Sequence, residues 1–348
     1  MHTTNMAPLD VLMEAARWAP SPDNMQPWRF LRRPDGFDVH FDATAAAGTT
    51  FPLEAEATQI SLGAIEENLR QAAQVIGAEV QLHRHDSDTL RLRAEITTLP
   101  DPRRLETELP LFRRHTNRYP FRPSPVPDAV QAHVAAMHEP GAQLQLMQDK
   151  RQLQAWSDIV RRAGELRFQN MEIMGWLAHS LRFKPEDADH GDGLDIRTFD
   201  LPPGGTLMLH MISSAPCLRA ANRVGAYKLL AAIEARPIAA GPLLIAILRD
   251  DNRDAMRAAG ALMERAWITL NEAGLAVQPY YVVADQLRRQ ETGQLDAAHR
   301  QAALDLARRC QLQLGEQRPL AMLLRVGWPC HTVTRSQRKP LALMQTGA

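Results

Sequence analysis

Two stretches of the chain, 197 residues apart, read alike without a gap. Residues 63–81 are GAIEENLRQAAQVIGAEVQ and residues 260–278 are GALMERAWITLNEAGLAVQ. Gly63/Gly260, Ala64/Ala261, Glu67/Glu264, Gly77/Gly274, Val80/Val277 and Gln81/Gln278 are identical. Each copy is a long helical pattern, a Gly, then a strand-like run. The period is far longer than that of a solenoid. The reading is a duplicated helix–Gly–strand unit, whose two helices can pack across a pseudo-two-fold axis as identical subunits do in a homodimer. Chance similarity between two amphipathic helices ending in Gly is the competing reading.

The 348 residues suffice for one large domain or two ordinary ones. Lys+Arg and Asp+Glu both number 40. That balance argues against a nucleic-acid binder, which needs a basic excess, and against a polybasic membrane-surface protein. The partner expected is a small-molecule substrate, with no nucleic acid and no membrane. The three cysteines, Cys217, Cys310 and Cys330, are an odd count without close spacing. A disulfide framework is not expected, and a reducing compartment fits better. The N-terminal stretch carries Asp10 and Glu14 and lacks a signal-peptide pattern. No apolar run approaches the roughly 20 residues of a membrane span. The expected location is the cytoplasm. His83-Arg84-His85-Asp86 reads as a solvated turn rather than a metal site.

Along the chain, Leu9–Trp18 reads as an amphipathic helix ended by Pro20. Strands are expected at Trp28–Arg33 and Gly36–Phe41 around a Pro-Asp-Gly turn, and again at Glu79–His83 and Thr89–Ile96. Glu54–Ile76 is a long helix with Gly77 as its cap. Leu99–Pro127, with seven Pro, is a linker or extended arm. Helices follow at Asp128–Met137, Lys150–Met174, Ala226–Glu234, Asn252–Ala273 and Asp296–Gln313. Strands are expected at Leu144–Met147, Leu243–Leu248, Val277–Val283 and Leu320–Val326. Lys184–Gly205, rich in Asp, Gly and Pro, reads as a long loop.

Ala15–Phe30 is AARWAPSPDNMQPWRF. Its Asn24 and Gln26 amides offer donor and acceptor together on a Pro-bracketed loop, where they can read the edge of a heteroaromatic ring. On spacing alone an ordinary helix-to-strand loop is the simpler account. Arg113–Pro127 is RRHTNRYPFRPSPVP, with three Arg, one His and one Thr in six residues. Guanidinium groups grip phosphate with paired hydrogen bonds.

The string APSxxNxQPWRF closely resembles the N-terminal signature of the nitroreductase family, whose members bind FMN between two α+β subunits. The arginine segment resembles that family's R-x-S-x-R/K opening followed by an aromatic and Pro-Val-Pro. The resemblance implies that the Pro20, Ser21, Asn24 and Gln26 loop lies beside a flavin. It implies that Arg114, Thr116 and Arg118 grip the FMN phosphate and ribityl chain, with His115 along the flavin. Ala273–Tyr281, AGLAVQPYY, resembles the turn passing the flavin ring, which nominates Gln278, Pro279 and Tyr280; its Tyr pair departs from the family. Leu324–Leu341 resembles the family's C-terminal end and nominates Arg338, or Arg335, for the phosphate.

In the family the arginine opening precedes the Asn/Gln loop; here the order is reversed. Each half keeps what the other has lost. The chain therefore resembles the Acg-type branch of the superfamily, fused pseudo-dimers holding one FMN. The implied fold is α+β and nitroreductase-like, in two tandem degenerate halves, 1–105 and 106–348. A lid-like insertion is expected around 183–205. The implied state is a monomer with an internal pseudo-dimer, a weak homodimer being the alternative. The implied activity passes hydride from NADH or NADPH through FMN to a quinone, nitroaromatic or similar acceptor, with Arg114 stabilising charge on the reduced cofactor and no protein acid or base required. An FMN-sequestering protein with little catalysis is the alternative, and an oxidase or dehydrogenase acting on one metabolite is a third class.

Overall fold

The computed structural model describes residues 6–42, 51–52, 54–85, 87, 89–98, 108–315 and 318–346. Its helices are α1 (Pro8–Arg17), α2 (Glu56–Ile76), α3 (Asp128–Ala135), α4 (Lys150–Gln169), α5 (Met171–Ser180), α6 (Pro185–Ala188), α7 (Gly205–Ile212), α8 (Ala215–Arg223), α9 (Ala226–Ala239), α10 (Arg253–Glu272), α11 (Val282–Glu291), α12 (Arg300–Leu314) and α13 (Leu341–Met344). Its strands are β1 (Trp28–Arg33), β2 (Gly36–Phe41), β3 (Glu79–Arg84), β4 (Leu90–Thr98), β5 (Phe121–Arg122), β6 (His138–Glu139), β7 (Ala142–Met147), β8 (Leu181–Arg182), β9 (Leu194–Asp195), β10 (Leu243–Arg249), β11 (Ala276–Tyr280), β12 (Leu320–Pro329) and β13 (Gln345–Thr346). The fold is α+β. The half-boundary expected at 105/106 lies outside the described residues.

One sheet has the order β13-β1-β2-β4-β3, the other β11-β12-β10-β7-β6 with β5 added on β12. Taken from β3 and from β11, the two orders correspond through four strands, every neighbour antiparallel. Beyond those four strands the sheets differ: β13 joins β1 in parallel, β6 joins β7 antiparallel, and β5 pairs with β12 in the second sheet alone. Within β10, the run LLIAIL alternates between two cores. Leu243, Ile245 and Ile247 belong to the core shared with α1, α2 and α10, while Leu244, Ala246 and Leu248 pack with α4, α11 and α12. A strand covered on both faces needs no polar alternation, which is why its sequence is continuously apolar.

The repeated helices α2 and α10 cross where both lack a side chain. A Cβ on Gly63 would stand 1.9 Å from the Arg257 carbonyl oxygen, and one on Gly260 would stand 2.0 Å from that of Ile60. Residues 60 and 257 are themselves separated by the repeat offset, so each copy meets the other at equivalent positions. The second shared pair, Gly77 and Gly274, adopts φ values of 70° and 78° after the two helices, the left-handed geometry that suits Gly at a helix end.

The structure corrects four expectations. Lys150–Met174 is two helices: the Asn170 side chain accepts from the amides of Glu172 and Ile173 at 3.0 and 3.1 Å, ending α4 and capping α5. Val277–Val283 is strand only to Tyr280; Asp285 N donates to Tyr281 O at 3.0 Å and the chain turns into α11. The loop from Lys184 to Gly205 contains α6 and β9. Helices α7 and α8 were not expected; with α4, α5 and α9 they build a small apolar cluster around Phe168, Met174, Leu209, Leu218 and Leu230. Among the described residues, no helix is long and apolar enough to cross a membrane.

Candidate functional site

The loop after α1 is bent by three non-glycine residues in the left-handed region: Asp23, Asn24 and Gln26, with φ of 47°, 58° and 49°. Such backbone costs roughly 1–3 kcal/mol per residue and persists where its surroundings hold it. Ser21 Oγ accepts from Gln26 N at 2.9 Å. Gln26 Nε2 donates to Gly191 O at 2.8 Å, and its Oε1 accepts from Lys339 N at 3.0 Å. Asn24 Nδ2 donates to Gln337 O at 3.0 Å, and its Oδ1 accepts from Arg338 at 2.9 Å. These two amides therefore fasten three distant segments together.

The arginine segment lies alongside. Asn117 N donates to Val277 O at 2.9 Å, and Thr116 forms a parallel bridge with Val277. His115 N donates to Asn271 Oδ1 at 2.9 Å, and its carbonyl accepts from Trp267 Nε1 at 3.1 Å. Burial lowers the pKa of the His115 ring. The Arg114 guanidinium is buried over the Trp267 ring, 4.8 Å from its centroid, and donates to Trp18 O at 2.6 Å. Its Nε lies 2.7 Å from Glu264 Oε1, yet off the hydrogen-bonding line, so both atoms lack a hydrogen bond. Burial pushes the Glu264 carboxyl up to about 7 despite Arg114. Arg338 also donates to Trp18 O, at 3.4 Å, and lies over the Trp18 ring. Burial, with the nearby Arg114 charge adding to it, pushes Arg338 down to about 9. Its Nε has no partner.

These elements surround one cavity of about 900 Å³. Pro20, Ser21, Asn24, Arg114, His115, Thr116, Arg118, Gln278, Pro279, Tyr280 and Arg338 all line it, as does Arg335. Gln26 does not. Its side chain is buried and engaged with Asn24, Gly191 and Lys339, so the expectation that this amide reads a ligand edge is corrected: it shapes the loop that does line the cavity. Tyr280 OH donates to Glu234 O at 3.2 Å, and burial raises its pKa.

Seven arginines line the cavity against the acids Asp23, Asp200, Glu234 and Asp285. Glu234 already pairs with Arg167 at 2.7 Å, and Asp285 with Arg289 at 3.1 Å. The wall is thus net cationic. From the 183–205 segment, Leu194, Phe199, Asp200, Leu201 and Pro202 contribute to the lining. That segment is held by Arg118, which donates to Thr198 Oγ1 at 3.1 Å and stacks on Phe199, and by Tyr119 OH, which donates to Arg197 O at 3.2 Å.

Asp23, Trp18, Arg167, Trp176 and Arg325 are lining residues that the motifs did not nominate. Trp18 and Asp23 sit inside the first motif and were within reach. Arg167 and Trp176 lie on helices whose periodicity says nothing of which face meets a cavity.

No family model matches the chain. It is similar to an uncharacterized protein of Mycobacterium tuberculosis (strain CDC 1551 / Oshkosh), 25% identical over 281 residues, covering 78% of this chain and 38% of that protein. The chain thus spans less than two fifths of the length of the curated relative it matches. Among solved structures it is similar to the FMN and NADPH-dependent nitroreductase NfnB of a sphigopyxis strain (strain HMH), at 17% identity and a TM-score of 0.36, over 65% of this chain and 92% of that one. It is similar to oxidized iodotyrosine deiodinase bound to FMN and 3-iodo-L-tyrosine, at 10% identity and a TM-score of 0.38, over 66% and 94%. Its likeness to the FMN-dependent nitroreductase NfnB of Mycobacterium smegmatis in complex with NADPH is 16% identity and a TM-score of 0.36, over 66% and 92%.

Proposed function

We propose that the cavity holds FMN and that the chain is a flavin oxidoreductase of nitroreductase type. The observation that carries this reading is convergence: residues nominated from four separate segments line a single cavity. The lining also suits the group. A phosphate needs cations with free donors; Arg338 presents a buried Nε without a hydrogen bond, and Arg114 lines the same cavity. An aromatic tricycle needs flat apolar walls with a few polar atoms, and the Pro20–Asn24 loop and Gln278–Tyr280 offer both.

In this reading Arg114, Arg338 and Arg335 hold the phosphate, Thr116 and Arg118 the sugar-alcohol chain, and Ser21, Asn24 and the 278–280 turn the ring. When bound, FMN supplies hydride acceptance and donation. The protein binds, orients and excludes water, and Arg114 favours negative charge nearby. NADH or NADPH is the proposed donor, and a quinone, nitroaromatic or similar molecule the acceptor. The halves bearing the two sheets are proposed to relate as subunits of a homodimer do, which makes a monomer sufficient. The purified protein should be yellow, with one FMN per chain, and should bleach on anaerobic mixing with NADH or NADPH. A colourless protein that takes up no FMN overturns the reading.

A second reading is favoured by one observation. The 183–205 segment is tied to the cavity rim at Gly191, Arg197 and Thr198. A cover fastened this way suits an FMN-holding protein with little turnover. A yellow protein inert to both nicotinamides supports it.

A further inference from the structure

The far wall of the cavity has an outer face that flavin binding does not use. Residues 201–233 contain Arg219, Arg223 and Lys228 and no Asp or Glu. All three cations are exposed, and none forms an ion pair among the described residues. Some surface arginines elsewhere are paired, as Arg113 is with Glu108 and Arg309 with Asp305, and others, such as Arg151 and Arg300, are not among the described residues. What sets residues 201–233 apart is the absence of any acid among them. Bare apolar side chains stand among the unpaired cations. Leu207 and Met211, one turn apart on α7, are 65% and 52% exposed. Leu229 and Ile233, one turn apart on α9, are 62% and 48% exposed, and Val224 between α8 and α9 is 87% exposed.

These helices also have an apolar inner side, where Leu209, Ile212, Leu218 and Leu230 are buried. A helix in water buries one stripe and presents polar residues on the other. Apolar residues on the outer side mark a surface made for something other than water. Cations interleaved with apolar side chains along a segment that contains no acid complement anionic lipid headgroups. The face is continuous with the cavity. Ile233 belongs to both, and Met208, Leu209, Ile212 and Leu230 line the cavity with Phe168, Ile173 and Trp176.

We propose that α7–α9 dock on an anionic bilayer surface. The exposed apolar side chains enter the headgroup layer, and Arg219, Arg223 and Lys228 meet lipid phosphates. The apolar end of the cavity then receives a lipophilic molecule partitioned in that bilayer. Docking stands apart from any flavin; only the identification of that molecule as the electron acceptor rests on the function proposed above. The balanced charge of the whole chain argued against a membrane surface because it averages this segment with acidic ones.

The test is co-sedimentation of the full chain with phosphatidylcholine vesicles, with and without phosphatidylserine. Binding should require phosphatidylserine and weaken as salt rises. Arg219→Ala/Arg223→Ala/Lys228→Ala should weaken it by about 100-fold, on the basis of about 1 kcal/mol per cation. Leu207→Ser/Leu229→Ser should weaken it by about 10-fold or more. Both variants change exposed side chains and should keep wild-type circular dichroism and FMN content. If a variant does not fold, the salt series on the wild-type protein decides. No sedimentation with either vesicle, equal sedimentation with both, or salt-independent binding overturns the proposal. So does a dimeric mass in sedimentation velocity that Leu207→Glu converts to a monomeric one, since a second copy then covers the face. Loss of FMN with docking intact sinks the flavin reading and leaves this one standing.

Discussion

Replacing Gly63 by Ala puts a methyl group into the crossing of α2 and α10. The new Cβ would stand 1.9 Å from the Arg257 carbonyl oxygen and 2.8 Å from the Ala261 amide nitrogen. Both obstacles are backbone, so no rotamer change relieves them, and the helices must part by about 1.5 Å to restore an ordinary contact. A gap of even 1 Å forfeits up to about half the dispersion attraction of the atoms it separates. Overpacking typically costs about 1–3 kcal/mol, and a clash of two backbones belongs at the upper end. Ala returns about 1 kcal/mol of helix propensity relative to Gly, leaving a net loss of about 2 kcal/mol. Gly175, inside α5, is the control: nothing lies within 4 Å of its Cβ position, so Gly175→Ala should stabilise by about 1 kcal/mol. Urea unfolding followed by circular dichroism reads both. The forecast is opposite signs. Midpoints that move together, or a Gly63→Ala protein as stable as wild type, would mean the two helices do not touch at these glycines.

Glu264→Gln should flatten the pH dependence of stability. The folded carboxyl sits near 7 rather than 4.5, so the fold binds more protons than the unfolded chain between those values. Stability is then fullest below the unfolded value and falls as pH rises through about 7; urea midpoints from about pH 5 to about pH 8 should show that fall in the wild type and not in the variant. Arg338→Ala should raise the dissociation constant for FMN by about 10- to 100-fold, the worth of one or two charge-assisted hydrogen bonds, measured by quenching of flavin fluorescence; unchanged affinity removes Arg338 from the phosphate site. Gln26→Leu should cost roughly 1–3 kcal/mol and speed hydrogen exchange of the Lys339 amide and around Gly191, because it removes the side-chain acceptor of Lys339 N and the side-chain donor to Gly191 O; unchanged exchange there refutes the fastening role.

The sequence made most of the scaffold legible. The first hairpin, Trp28–Arg33 with Gly36–Phe41, and the Gly-capped end of the helix at Ile76 carry local signals strong enough to place them to the residue, whereas that helix starts at Glu56 rather than the expected Glu54. The cavity was legible through short strings, because a site assembled from loops keeps its chemistry in a few adjacent residues. Gln26 shows where that stops: its amide is equally able to meet a ligand or a neighbouring backbone, and the choice rests on Gly191 and Lys339, more than 160 and 300 positions away. The division at Asn170 was hidden because both flanking segments carry helical periodicity, and only the side-chain bonds to Glu172 and Ile173 reveal a new start. Helix α7 was hidden because its apolar residues face both ways, Leu207 and Met211 outward and Leu209 and Ile212 inward; α8 is short, with a single buried apolar anchor, Leu218.

The Trp18 carbonyl, at the C-terminal end of α1, accepts from Arg114 and from Arg338. A helix finishes with its partial negative charge, worth about half an electron. That small charge, together with the nearby Glu264 carboxyl, offsets the repulsion between two like-charged guanidinium groups. The pair is consequently assembled in advance, and if it holds an anion as proposed, the ordering entropy of that socket was settled when the chain folded.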